Sequence, residues 1–470
     1  MKNILVVLLL WTVPAAAQNP LWGPWSGKLM GMTIVLHFVP RPDGSTAATL
    51  EIPLQGVAGT AFTEVRVSPD SVACTLEAAH VGYRGTRAGD TLIKGFWIQG
   101  TARIPLDMRP TLDTAWAAER PQTPRPPYPY NSDSVTYDNA DHTVQFGATL
   151  TWPKTGKACP AILLITGSGT QDRDETILGH KPFAVIADYL TRRGYAVLRV
   201  DDRGAGLTRG DAQSATVGDL AKDVEAGLAY LKTRREIDPH RLGLLGHSEG
   251  AMVAPMVAAR DKDVRFIVLL ASPAVGGLQT IVWQSVEPLK RAGEPKALVE
   301  GSAALEKTIL EAAMATADSS VFMASVSPAY RTWYEAAPDS LRTRYPAQYQ
   351  SPDAFLSQLR YQTPILLSPG YRFFLSYSPL PDFRRLTCPV LALDGEQDVQ
   401  VDCKTNLDLI QKTLTEAGNR HFETKALPGL NHLFQHCRTC TVQEYIQLEE
   451  TISPGALQLI GDWLDENAGH

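Results

Sequence analysis

Residues 243–255 read "GLLGHSEGAMVAP" and hold a serine, Ser248, with Gly246 and Gly250 two positions to either side. A hydroxyl is a weak nucleophile until a base takes its proton. The pattern therefore acquires chemical meaning only beside a base, an acid to orient it, and donors for the charge that develops on an attacked carbonyl oxygen. The flanking glycines suit that use. Without a Cβ they let an apolar strand turn sharply into a helix, and they leave room for a substrate at the serine oxygen. The helix that starts there presents free amides, which favour negative charge.

In a site of this kind the acid follows the serine in chain order, and the histidine follows the acid. The run "PVLALDGEQDVQV" offers two aspartates. Asp394 ends the apolar strand, where an aspartate before glycine commonly bonds turn amides. Asp398 lies past the turn, from which it can reach back over the sheet edge, and it is the expected orienting acid. Three histidines compete for the role of base in "HFETKALPGLNHLFQH". His421 begins a strand, at the wrong end, and His436 falls in a surface segment. His432 follows the Pro428–Gly429 turn, where the ligand-facing loops of open α/β sheets gather, and it is the expected base. One oxyanion donor is expected from the amide of Glu249, directly after the nucleophile. The other is expected from the "GSGTQDRDE" loop, at the amide of Ser168 with Gly167 as the alternative; Gly167 and Gly169 would line the bound substrate. His247, beside the nucleophile, is read as a packing residue.

The elements that must position these groups follow from periodicity. After residue 131 a strand pair in "SVTYDNADHTVQFGATLTWP" is followed by continuous apolar runs, "ACPAILLITGSG", "YAVLRV", "RLGLLGHS" and "VRFIVLLAS". These alternate with helical spacing, as in "VGDLAKDVEAGLAYLKTRREI", where Leu220, Val224, Leu228 and Leu231 share a face. Strand and helix in alternation predict an α/β fold with a mostly parallel sheet covered on both faces. The alternation stops near Pro273 and resumes at "PVLAL", so a helical cap is expected at about 275–380. Before the sheet, "MTIVLHF" and "ATLEIPL" alternate with period two and predict a small antiparallel β domain over residues 18–115, with a filled interior. A proline-rich linker, 116–130, separates it from the α/β domain, 131–470.

Composition excludes some roles. A net charge of −6 and a pI near 6.0 provide no basic stripe for nucleic acid. The start, "MKNILVVLLLWTVPAAAQ", places Lys2 before a short apolar segment and then small residues, the layout of a signal peptide cleaved after Ala17. The expectation is export to the periplasm or the medium, with no stable membrane anchor. Of six cysteines, Cys437 and Cys440 supply two thiols without a second pair at zinc-site spacing, so a local disulfide is expected rather than a metal.

The segments "ITGSGTQDRDE", "LRVDDRGAG", "GLLGHSEGAMVAP", "PVLALDGEQDVQV" and "LPGLNHLFQ" occur in that order. Together they resemble a branch of bacterial α/β-hydrolase carboxylesterases with a β-rich N-terminal domain and a helical cap, over nearly the whole chain after residue 17. The resemblance implies hydrolysis of small-molecule carboxylic esters with short acyl groups by Ser248, Asp398 and His432, without cofactor or metal. Cys403 and the "CRTC" pair depart from that pattern, and a bridge from Cys403 to Cys437 or Cys440 would brace the acid and histidine loops. Two other readings remain open: a serine peptidase of the prolyl oligopeptidase type, against which the lack of blade repeats counts, and a ligand-binding protein with a vestigial site. In the enzymes this chain resembles, a segment such as "DDRG" braces loop backbone, which implies that role for Asp201, Asp202 and Arg203 and, likewise, for Asp172, Arg173 and Asp174.

Overall fold

The structure is a computed structural model describing residues 21–29, 32–41, 45–52, 57–77, 81–100, 102–111, 120–212, 214–342 and 351–468. The expected signal segment, 1–17, and residues 116–119 of the expected linker lie outside the described residues. Two compact units divide at Ala117 and Ala118.

Among the described residues the first unit contains ten strands: β1 (Gly23–Leu29), β2 (Met32–Pro40), β3 (Thr46–Ile52), β4 (Val57–Ala61), β5 (Glu64–Val67), β6 (Ser71–Leu76), β7 (Val81–Arg87), β8 (Ile93–Gln99), β9 (Ala102–Pro105) and β10 (Arg109–Pro110). They form two antiparallel five-stranded sheets, ordered β10-β1-β2-β3-β4 and β5-β6-β7-β8-β9. Alternation decides which side chains meet between them. Ile34, Leu36 and Phe38 of β2 join Trp25, Tyr83 and Trp97 in one buried cluster, so the interior of this unit is packed with side chains.

The second unit opens with the proline-rich segment, described from Arg120 onward. It is no free tether. Buried Arg120 donates to the carbonyls of Leu178 (2.9 Å) and Ile446 (3.0 Å), and Gln122 accepts from the Thr451 amide and donates to the Ile452 carbonyl.

From there the chain runs β11 (Asn131–Asp138), β12 (Gln145–Trp152), β13 (Cys159–Ile165), α1 (Pro182–Arg192), β14 (Ala196–Val200), α2 (Val217–Lys232), β15 (Ile237–His247), α3 (Gly250–Ala258) and β16 (Val264–Leu270). Among the described residues seven helices follow: α4 (Gly277–Arg291), α5 (Lys296–Ala315), α6 (Ser319–Ala336), α7 (Asp339–Arg342), α8 (Pro352–Leu366), α9 (Pro369–Ser376) and α10 (Leu380–Phe383). The unit ends with β17 (Val390–Gly395), α11 (Cys403–Glu416), β18 (Phe422–Leu427), a 3-10 turn at Val442–Gln447 and α12 (Pro454–Asn467).

Its sheet has the order β11-β12-β14-β13-β15-β16-β17-β18. The first two pairings are antiparallel and the rest parallel, which is the α/β-hydrolase fold. Strands β13 and β16, and β15 from Leu242 onward, are buried almost throughout because helices cover both faces. α2, α3 and α11 pack on one face, and α1 and α12 on the other. The inserted helices α4 to α9 have a separate core in which Phe322, Tyr330, Phe355 and Leu359 are buried, with the rings of Tyr330 and Phe355 stacked at 3.8 Å. The insertion is therefore a helical cap with its own hydrophobic core.

Candidate active site

β15 hands over to α3 through Ser248 and Glu249. Ser248 adopts φ = 54°, a left-handed conformation that a non-glycine residue enters at a cost of about 1–3 kcal/mol. The turn is held by the Ser248 amide, which donates to the Leu270 carbonyl at 2.8 Å, and by the Ser248 carbonyl, which accepts from Ala251 at 3.0 Å. Both glycines are steric requirements. A Cβ on Gly246 would stand 2.2 Å from the Gly250 carbonyl oxygen, and one on Gly250 would stand 2.2 Å from that of Ile165. The strand–helix crossing leaves no room for either.

Asp398 occupies the loop after β17. Its Oδ1 accepts the amides of Gln400 (2.6 Å) and Val401 (2.9 Å), and its Oδ2 accepts a hydrogen bond from His432 Nδ1 at 2.6 Å. The two side chains are almost fully buried. Burial would raise the Asp398 carboxyl, but the His432 charge and hydrogen bond and the two amides hold it below the usual aspartate range. The loop carrying His432 is closed by buried Asn431, whose Oδ1 accepts the Leu433 and Gln435 amides and whose Nδ2 donates to Gln435 Oε1. With Nδ1–H given to Asp398, the basic lone pair of His432 lies on Nε2.

His432 lies beside the turn that carries Ser248, in contact with the preceding residue. The ring of His247, next to Ser248 in the chain, lies 4.8 Å from the ring of His432, and His247 Nε2 is 3.1 Å from the His432 carbonyl. Among the described residues the Ser248 hydroxyl makes no hydrogen bond, to His432 or to another group. In free enzymes such contacts are often long, and they tighten around a bound substrate.

The loop after β13 brings Gly167 close to the nucleophile; a Cβ on Gly167 would lie 3.3 Å from Ser248 Cβ and 3.1 Å from Glu175 Oε1. Its amide donates to Glu175 Oε1 at 2.6 Å, which removes Gly167 as the alternative oxyanion donor. The amides of Ser168 and Glu249 donate to no acceptor among the described residues. Gly169 has φ = 93° and continues the loop. Glu249 is half-buried at the start of α3, and burial pushes its carboxyl up to about 7.

The charged loop residues are bracing groups. Asp201 accepts the amides of Arg173 and Leu207 and pairs with the Arg173 guanidinium, Asp202 accepts from Thr166 Oγ1 and the Gln171 amide, and Arg203 pairs with Asp223. His436 is exposed and pairs with Glu450.

Two expectations are corrected. Cys437 and Cys440 are bonded to each other, and Cys403 is a buried free thiol at the start of α11, so no bridge links the acid and histidine loops. Asp394 bonds no turn amide. It is fully buried with both oxygens unpartnered, and burial followed by the Asp398 charge raises its carboxyl well above the usual range. Sequence reasoning missed Glu175, a buried glutamate at φ = 52° that contacts His247 Nδ1 at 2.9 Å. A glutamate in a polar loop has no spacing signal to mark it as buried.

Comparison with known proteins finds similarity to hydrolases. The family described as "Serine aminopeptidase, S33" matches residues 181–344, a segment that includes Ser248 but ends before Asp398 and His432. Esterase EstD of Thermotoga maritima is 28% identical over 303 residues, covering 64% of this chain and 61% of its own. The putative hydrolase YtaP of Bacillus subtilis is 32% identical over 135 residues, 25% of this chain and 45% of its own. The chain thus spans less than two thirds of the length of either relative. Among solved structures, the Pyrococcus furiosus esterase Pf2001 matches 72% of this chain and 92% of its own at 16% identity and a TM-score of 0.42. The proline iminopeptidase of Mycobacterium smegmatis matches 72% and 99% at 16% identity and a TM-score of 0.41. The sheet order and the strand–serine–helix turn are those of the α/β-hydrolase fold, and over part of its length the chain is similar to these hydrolases.

Proposed function

We propose that this protein is a serine hydrolase that cleaves carboxylic esters of small molecules, with short acyl groups, through an acyl-enzyme. The observation that carries the reading is the buried Asp398–His432 pair, with His432 in contact with the residue before a left-handed Ser248. His432 Nε2 takes the Ser248 proton as Oγ bonds to the ester carbonyl carbon, and the carbonyl electron pair moves onto an oxygen held by the amides of Ser168 and Glu249. Collapse breaks the bond to the alkoxy oxygen, which leaves as an alcohol with the proton from His432. Water then gives a proton to His432 and attacks the acyl carbon, and the second collapse releases the acid and returns the proton to Ser248.

Each oxyanion donor is worth about 2.7–4 kcal/mol in sites of this type, so two of them outweigh most single binding contacts. Their value depends on a fixed geometry, which the left-handed serine and the N-terminus of α3 provide.

A peptidase reading is favoured by one finding, the description of the family that matches residues 181–344. The same residues would serve an amide, with the amine leaving in place of the alcohol. A panel of 4-nitrophenyl esters of rising acyl length, run beside the matching 4-nitroanilides, separates the two. Ester turnover is expected to exceed amide turnover, and Ser248→Ala to lose at least about 10³-fold in kcat with the fold retained. A folded Ser248→Ala protein that keeps most of its ester turnover refutes the assignment. Export by residues 1–17 belongs to the same reading, and the Cys437–Cys440 disulfide supports an oxidising destination.

A further inference from the structure

Behind the proposed triad lies a second acid–imidazole contact that the mechanism above does not use. Glu175 is 1% exposed and His247 is 5% exposed. Glu175 Oε1 accepts the Gly167 amide at 2.6 Å and faces His247 Nδ1 at 2.9 Å, while His247 Nε2 faces the His432 carbonyl oxygen at 3.1 Å. We propose that Glu175 and His247 are positioning residues for acyl transfer: their contact ties the loop bearing the Ser168 amide to the loop bearing His432, across the residue that precedes Ser248. The inference rests on the ester-hydrolase reading of that site.

The bonds dictate the protons. A backbone carbonyl only accepts, so His247 Nε2 carries a hydrogen. One further proton lies between Nδ1 and Oε1. Whether the imidazole or the carboxyl holds it, the pair is neutral as a whole, and a buried neutral pair avoids leaving a lone charge beside the nucleophile. The chain of contacts is then continuous from Gly167 through Glu175 and His247 to His432, and His247 is covalently joined to Ser248. Three separate chain segments that must hold nucleophile, base and oxyanion donor in register converge on one ring. An apolar pair would pack the same volume without ordering either loop.

The informative variant is Glu175→Gln. A glutamine oxygen at the Oε1 position can accept both the Gly167 amide and Nδ1–H, but a neutral imidazole has only one hydrogen, and the His432 carbonyl needs it on Nε2. A glutamine nitrogen there would face the Gly167 donor. Either one of the three contacts fails or the ring carries a buried charge with no counter-charge beside it. With wild-type and Glu175→Gln proteins matched for folded fraction by circular dichroism and melting, kcat on a short-chain 4-nitrophenyl ester is expected to fall about 10- to 100-fold, with KM within about twofold. A trifluoromethyl ketone, whose adduct with Ser248 carries the oxyanion, should lose affinity by the same factor. A merely structural role would lower the folded fraction and leave the ketone affinity of the folded enzyme unchanged; that result, or kcat within about threefold of wild type, overturns the proposal. If Glu175→Gln does not fold, the wild-type protein labelled with ¹⁵N-histidine decides: a protonated, slowly exchanging His247 Nε2 is expected, and an unprotonated one overturns the assignment. Failure of the ester-hydrolase reading shows separately, as retained turnover in Ser248→Ala.

Discussion

Asp394 and Asp398 lie four residues apart, both are buried, and their asparagine variants should behave in opposite ways. In Asp398→Asn the amide group has two orientations. Oδ1 of the wild-type residue accepts two backbone amides, from Gln400 and Val401. If the asparagine oxygen keeps that place, its NH2 group faces His432 Nδ1. Nδ1 must then accept, the ring proton moves to Nε2, and the base is lost. The flipped orientation keeps the correct tautomer but leaves two amides facing a donor, at about 1–3 kcal/mol each. A bias of about 2–6 kcal/mol toward the wrong tautomer corresponds to roughly 30- to 2 × 10⁴-fold at 1.36 kcal/mol per decade. The variant also lacks the charge that stabilises the imidazolium, so the expected loss in kcat is about 10³- to 10⁴-fold, with KM little changed.

In Asp394→Asn no contact to His432 is lost, since no donor is paired with either wild-type oxygen and the amide NH2 can replace the carboxyl proton beside Asp398. Ester turnover should stay within about threefold. The sign of the stability change follows from the raised carboxyl. Folded Asp394 holds its proton at a pH where the unfolded chain has released it, so its contribution is fully present below the ordinary aspartate range near pH 4 and is lost as pH rises through the folded value. Asparagine removes that dependence, and Asp394→Asn should melt higher than wild type at neutral pH, with the gap closing below about pH 4. The assays are steady-state hydrolysis of one 4-nitrophenyl ester and thermal melts of the same preparations at several pH values. A loss in Asp398→Asn below about tenfold, or an equal loss in Asp394→Asn, refutes the choice of acid.

Gly250→Ala places a methyl carbon 2.2 Å from the Ile165 carbonyl oxygen and 2.6 Å from that of Thr166, where only backbone movement can relieve it. Melting should show a loss of about 1–3 kcal/mol or more, together with a fall in kcat as the oxyanion loop shifts; unchanged turnover would contradict the close crossing of β13 and α3. Asp201→Ala leaves half-buried Arg173 without its carboxylate and should destabilise by about 3 kcal/mol at neutral pH, and a change under about 1 kcal/mol in denaturant titration would contradict this. Burial opposes the charged form of Asp201, but Arg173 and two amides hold the carboxyl below its usual value. Its contribution is therefore present above the ordinary aspartate range and fades as pH falls through the folded value, so wild type and variant should converge in acid.

Much of the site is legible in the sequence because its parts obey local rules. Buried strands read as apolar runs, α2 reads from Leu220, Val224, Leu228 and Leu231, and the serine between two glycines marks the sharp turn, since no Cβ fits at either position. The chain order of serine, acid and histidine follows from the connectivity of a parallel sheet, whose loops gather at one end. The separate cap is legible because about a hundred residues with helical spacing cannot form a bare loop.

What the sequence by itself determined, then, is the α/β sheet, the strand–serine–helix turn at Ser248 and the short set of acids and histidines able to serve it. Tertiary structure alone decided that Cys437 bonds Cys440 and leaves Cys403 free, that the Gly167 amide is occupied by Glu175, and that Asp394 stands buried without partners while Asp398 meets His432. The physical reason is range. Propensity and periodicity act over a few residues, whereas a hydrogen bond between Glu175 and His247, 72 positions apart, exists only once the sheet has brought two loops to the same rim.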